Sequence, residues 1–184
     1  MATEANSKCP DKVTVIVDTR EQYPVRFPAN VRIADPSCSG KGRLVGVTTV
    51  RRKMDAGDYC LEGWEECCAI ERKGSPLELY KNLFDRKDKL RCGRAFTRLV
   101  TQVDHPYLML ESGPKDILTG HLPYDVDPEL LLSKVTQLVA SYGLGLLWMP
   151  WKRASGKSDM GIALVHLMLS HVINTYYTSK PKLI

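Results

Sequence analysis

Two short segments carry the residue types for chemistry: Gly57-Asp58-Tyr59 and, one strand-like stretch later, Ile70-Glu71-Arg72-Lys73. On an extended strand, side chains alternate, so Glu71 and Lys73 leave one face while Arg72 leaves the other. An acid and an amine about 7 Å apart along one face can both reach a single ligand. A turn before Tyr59 brings Asp58 alongside them. Two carboxylates make a hard-oxygen seat for Mg²⁺, an ion that keeps several waters and shares its remaining positions with a phosphate. A cation held there lowers the pKa of a bound water and neutralises charge that builds on the phosphate. Lys73 would orient or deprotonate the attacking water, or stabilise the pentavalent phosphate. These are the roles that phosphodiester hydrolysis needs. Alone, an E-R-K triplet is an ordinary surface sequence and G-D an ordinary turn. Together they are more specific, because Ala69 and Ile70 set Glu71 at the end of an apolar strand, where a charge is costly unless paired or metal-bound.

The elements that must position these residues are readable from periodicity. Val13 to Val17 is β-branched throughout and predicts a buried strand running into Asp18, Arg20 and Glu21. Strands are expected at 44–50, 59–61 and 67–70, the last two joined by a hairpin through Glu62, Gly63 and Trp64. Ser75-Pro76 opens a helix with Glu78 in its first turn. Leu79, Leu83 and Leu90 form its apolar stripe; Phe96, Leu99 and Val103 follow at another phase, so a kink or break is expected at Gly93. A strand at 107–110 ends on Glu111. Asp127-Pro128 caps a helix bearing Leu131, Val135, Leu138 and Tyr142 and closed by Gly143. A strand at 144–149, a basic loop at 152–157 and a helix capped by Ser158, with Ile162, Val165, Leu169, Val172 and Tyr176 in register, complete the chain. Strands first and then αβαβα predict an α/β fold with a central mixed β-sheet flanked by helices. The irregular stretch from Tyr23 to Arg43 suits a substrate loop or a mere insertion.

The 184 residues are 43% apolar and 26% charged, an ordinary globular composition with room for one full core. No apolar run reaches the roughly 18 residues of a membrane helix, and residues 1–12 lack a secretory pattern. The expectation is a disordered lead-in at 1–12 and a single domain at 13–184, in an intracellular setting and with no membrane partner. Cysteines at 9, 38, 60, 67, 68 and 92 form no C-x-x-C pair and read as reduced, mostly buried thiols. His166 and His171, five apart on the last helix, do not form a metal pair. The net charge of +5 is concentrated: residues 81–98 hold seven basic and two acidic side chains. Within them Lys87, Arg91, Arg94 and Arg98 share one side of a helix, a row suited to tracking a phosphate backbone.

Val17-Asp18-x-Arg20-Glu21, Gly57-Asp58-Tyr59 and Glu71-Arg72-Lys73 together resemble the nuclease domain of XPF-type structure-specific endonucleases, whose signature is V-D-x-R-E … G-D-Y … E-R-K-x-x-x-D. The resemblance runs from about Val13 to Leu110 and implies a restriction-endonuclease-like fold. It implies Mg²⁺- or Mn²⁺-dependent cutting of DNA, commonly at branches, flaps or junctions. By that resemblance Asp58 and Glu71 are metal ligands and Lys73 the water-positioning base. Asp18 is a further acid and metal ligand at the centre, Arg20 and Arg72 support the phosphate or the carboxylates, and Glu21 stands behind them. The acid after E-R-K is Glu78 here, one residue later than the pattern and not Asp. No paired G-x-G hairpins stand in the last 40 residues, so DNA is expected to be found through this surface or through a homodimer or heterodimer partner. Family members also pair with protomers that have lost their acids, so a catalytically silent DNA-binding scaffold is the alternative; the intact Asp58, Glu71 and Lys73 oppose it. A general RNA-binding protein is a third reading, without any recognisable RNA module.

Overall fold

Among the described residues, seven strands and five helices follow one another in an order that a central sheet explains. The computed structural model describes residues 10–34, 42–120, 126–150 and 156–178. The elements are β1 (Lys12–Val17), β2 (Asn30–Ile33), β3 (Arg43–Arg51), β4 (Tyr59–Leu61), β5 (Cys68–Lys73), α1 (Pro76–Phe84), α2 (Arg86–Gln102), β6 (His105–Leu110), α3 (Pro114–Thr119), α4 (Pro128–Tyr142), β7 (Gly145–Trp148) and α5 (Gly156–Thr178). They form one mixed sheet in the order β2-β3-β1-β4-β5-β6-β7. β1 is parallel to β3 and antiparallel to β4, β4 is antiparallel to β5, and β6 and β7 continue parallel. The carboxyl ends of β1, β5, β6 and β7 and the start of β4 therefore share one edge. Loops at that edge are where open α/β sheets take ligands.

Strand alternation divides the core between two faces. Val15, Val17, Tyr59, Leu61, Cys68 and Ile70 pack with Leu164, Val165, Met168 and Leu169 of α5. Ile16, Cys60 and Ala69 pack on the other side with Leu79, Cys92, Phe96, Leu99, Leu131 and Val135 of α1, α2 and α4. Asp58, Glu71 and Lys73 continue the parity of the second set, so they leave the sheet toward α1 and α2. Arg72 continues the first.

Local chemistry sets the helix limits. Ser75 accepts the Glu78 N–H at 3.2 Å as N-cap of α1. Asp127 accepts from Glu129, and Gly143 closes α4 in the left-handed region at φ 64°. The expected break at Gly93 falls instead at Asp85, whose carboxylate caps α2 by accepting from Lys87 and Asp88. Gly93 continues the helix and lies beneath the Tyr142 hydroxyl. The shifted break turns Leu90 outward to 60% exposure, and Ile162 of α5 is exposed as well, so neither is a core residue. β2, inside the irregular 23–43 stretch, and α3 are additions to the elements read from the sequence. Cys60, Cys68 and Cys92 are buried free thiols and Cys67 is half-buried. Cys9, Cys38, Trp151 and the basic residues Lys152 and Arg153 lie outside the described residues, as do most of the lead-in and the Tyr176 side chain.

Candidate active site

A cavity of about 320 Å³ opens at the carboxyl edge of the sheet, lined by Arg20, Glu21, Gln22, Tyr23, Asp58, Glu71, Arg72, Lys73 and Glu78. Its floor is built by Gly57 and β5. Gly57 turns at φ 74°, and a Cβ there would meet the Ile70 carbonyl at 3.2 Å, so only a residue without one enters the turn unstrained. The turn directs the Asp58 N–H to the Ile70 carbonyl at 2.8 Å. The Asp58 carboxylate then accepts the Arg72 N–H at 2.7 Å.

Glu71 and Lys73 close the group: Lys73 Nζ donates to Glu71 Oε1 at 2.7 Å and lies 3.6 Å from Glu78 Oε1. Glu78 itself accepts the Gly74 N–H at 2.9 Å. The extra residue before this acid is accommodated by the first turn of α1, which aims it back at Lys73. Burial pushes Asp58 up to about 8, and the neighbouring Glu71 carboxylate pushes in the same direction. Burial works against the Lys73 ammonium, but Glu71 and Glu78 outweigh it and raise the amine above its ordinary value. Lys73 is thus a cation and a donor, and of the roles expected for it, deprotonating water is the one its neighbours oppose.

Four other expected residues, Asp18, Arg20, Glu21 and Arg72, form closed networks. Asp18 is fully buried. Its Oδ1 accepts the Arg20 N–H and Nε–H, both at 2.7 Å. Its Oδ2 accepts Arg20 Nη2 at 2.9 Å and the Met54 N–H at 2.7 Å. Burial alone would raise its pKa, but Arg20 and these backbone donors bring it below the usual value. Each oxygen already has two donors, and Asp18 ties the 18–20 turn to the 52–54 segment. Arg20 is that clamp's cation and also donates to the Met54 carbonyl. Arg72 is buried between two acids, with Nη1 on Glu21 at 3.0 Å and Nε on Glu111 at 2.6 Å. Its guanidinium holds both carboxylates. Glu111, at the end of β6, joins the network across three strands; its position on an apolar strand terminus is the one sequence signal for it.

Among the described residues no three His, Cys, Asp or Glu side chains form a ready metal cluster. What the cavity holds is a pair, Asp58 and Glu71, whose mutual repulsion a divalent cation would relieve. Two carboxylates fit an ion that keeps water and phosphate as its remaining ligands. The basic row lies on the exposed side of α2, with Cys92, Phe96 and Leu99 beneath it. Arg91 pairs with Asp88 at 3.0 Å, and Arg98 donates to the Asp55 carbonyl at 3.3 Å. The row thereby runs up to the loop that delivers Asp58. His171 stacks on His105 with ring centroids 4.0 Å apart and meets the Tyr107 hydroxyl at 2.8 Å, away from His166. A larger cavity, about 740 Å³, lies between the 52–56 segment, Glu65, Glu66 and the end of α2. Arg52 beside it is held by Glu62 and Glu65, and no residue of the expected site lines it.

The mixed sheet flanked by helices is a fold that the chain shares with two solved structures. The chain superposes on XPF from Aeropyrum pernix with a TM-score of 0.54 at 22% identity, over 93% of this chain and 65% of that one. It superposes on XPF from Aeropyrum pernix in complex with DNA with a TM-score of 0.51 at 23% identity, over 94% and 68%. The chain therefore spans about two thirds of the length of these structures. Its sequence matches no protein-family model and no curated protein. No helix among the described residues is long and apolar enough to cross a membrane.

Proposed function

We propose that this protein is a metal-dependent DNA endonuclease that hydrolyses phosphodiester bonds, with a preference for branched or flap structures. The observation that carries the reading is the convergence of Asp58, Glu71 and Lys73 on one cavity, with the Asp58 proton held up to about 8 by burial and Glu71. Asp58 and Glu71 would hold Mg²⁺ or Mn²⁺. The bound cation supplies an acidified water and neutralises charge on the phosphate. The Arg72 N–H orients the Asp58 carboxylate, and the Glu21–Arg72–Glu111 bridge fixes the strand that carries it. Lys73, kept cationic by Glu71 and Glu78, orients the attacking water or donates to the phosphate oxygen as charge develops. Lys87, Arg91, Arg94 and Arg98 would track the backbone of the DNA arm leaving the site.

A panel of end-labelled flaps, forks and linear duplexes, incubated with Mg²⁺, Mn²⁺ or EDTA, tests the proposal. Cutting of branched substrates with either metal, none with EDTA and none by Asp58→Ala is the expected result. Binding without cutting by the wild-type protein on every substrate and with both metals would sink it in favour of a DNA-binding scaffold.

A further inference from the structure

Tyr23 is the most exposed large apolar side chain among the described residues, at 69%, and it lines the same cavity as Asp58, Glu71 and Lys73. An aromatic ring in water normally needs no explanation when it stands singly. Here its backbone is held from several sides. Its N–H donates to Glu21 Oε1 at 2.8 Å, and that carboxylate is itself gripped by Arg72. Its carbonyl accepts from Lys157 Nζ at 3.5 Å. Two residues on, the Val25 N–H donates to the buried Tyr59 hydroxyl at 3.2 Å, and the Arg26 N–H donates to the Lys157 carbonyl at 3.2 Å. The loop bearing Tyr23 is thereby fixed to β1, β4, β5 and α5, while the ring itself stays in solvent.

The rest of the cavity wall is charged or amide-bearing, and Tyr23 is its one aromatic member. Its volume of about 320 Å³ lies at the small end of the 300–1,000 Å³ typical of sites that take one small molecule. A phosphate seat beside a single π-face on a fixed loop is the chemistry of one nucleotide. In a continuous duplex both faces of a base are covered by its neighbours, so a ring outside the helix has nothing to stack on. An unpaired base next to a strand junction has a free face, and stacking on it is tolerant of sequence.

We infer that Tyr23 is a stacking platform for an unpaired nucleobase next to the scissile phosphate, and so a specificity-determining residue for branched over continuous DNA. This rests on the reading of the cavity as a nuclease centre. The experiment separates the two. Forked DNA carrying 2-aminopurine at the unpaired nucleotide beside the junction is titrated with wild-type protein, Tyr23→Phe and Tyr23→Ala in EDTA, where cutting is blocked. The same three proteins are then assayed for cleavage of fork and linear duplex with Mn²⁺. Quenching of the probe by the wild type and by Tyr23→Phe but not by Tyr23→Ala is expected. Fork cleavage by Tyr23→Ala should fall about 10-fold relative to duplex cleavage, as expected for losing one stacked base. Equal quenching by wild type and Tyr23→Ala, or none by the wild type, overturns the assignment even if the enzyme cuts. Quenching lost in Tyr23→Ala from a protein that never cuts would uphold the platform and reject the nuclease.

Discussion

Two clusters of acids and bases lie side by side at the same edge of the sheet, and they differ in closure. In the first, Asp18 meets Arg20, and Arg72 bridges Glu21 and Glu111; every Asp18 oxygen has two donors and the Arg72 side chain is only 8% exposed between acids 7% and 3% exposed. In the second, Asp58 and Glu71 share one cation, Lys73, and burial together with the neighbouring Glu71 carboxylate raises the Asp58 pKa. A closed cluster makes structure, because removing one partner leaves an uncompensated buried charge. An open one has electrostatic work left for a ligand. Adjacent motif residues of similar type therefore stand in different electrostatic settings.

Substitutions can break this contrast. The largest effect is expected in the open cluster: Lys73→Ala should lower the single-turnover cleavage rate about 10²–10⁴-fold, and Asp58→Ala should abolish it, with DNA affinity nearly unchanged. In the closed cluster, Arg72→Met takes the shared guanidinium from Glu21 and Glu111, should lose about 3–5 kcal/mol of folding stability in urea denaturation, and should lower activity only through the folded fraction. A chemically inactive but stable Arg72→Met protein would erase the distinction.

A pH series sharpens it. In metal-free protein the Asp58 pKa is raised from 3.8 to about 8. The native state therefore keeps a proton that the unfolded chain releases, and stability from this group falls as pH rises between about 4 and 8. Asp58→Asn removes that penalty, so its melting temperature should exceed the wild type's at pH 8 by a few degrees, with the gap narrowing toward pH 4. Asp18→Asn should behave oppositely, because the lowered Asp18 pKa contributes stability that is present at neutral pH and lost on acidification. The smallest effect is expected on the helix row. Lys87→Ala and Arg94→Ala should each flatten the salt dependence of DNA binding by about one unit of slope and leave folding untouched.

How much was legible in the sequence follows the range of the interactions. Helix α4 was readable at both ends because Asp127 and Gly143 act on their own neighbours. The grouping of Glu71 with Lys73 was readable because strand alternation is local, and Asp58 followed from the turn at Gly57. The break at Asp85 was masked by Gly93, the more obvious helix breaker, and that misplaced Leu90. The closure around Asp18 was not legible because its four donors include the Met54 N–H, 36 residues away in the chain. The Arg72 bridge joins Glu21 and Glu111 over separations of 51 and 39 residues, which no periodicity reports. β2 has only four residues, set in a stretch rich in Pro, Gly and Ser, too short for alternation to stand out.

The central claim is that Asp58 and Glu71 together seat a divalent cation. Titration calorimetry with Mn²⁺ at pH 7, run in two buffers of different ionisation enthalpy, measures both the binding and the protons it releases. One saturable site that releases close to one proton, and is lost in both Asp58→Asn and Glu71→Gln, is the outcome this account requires. Unchanged binding in either variant, or none in the wild type, would contradict it.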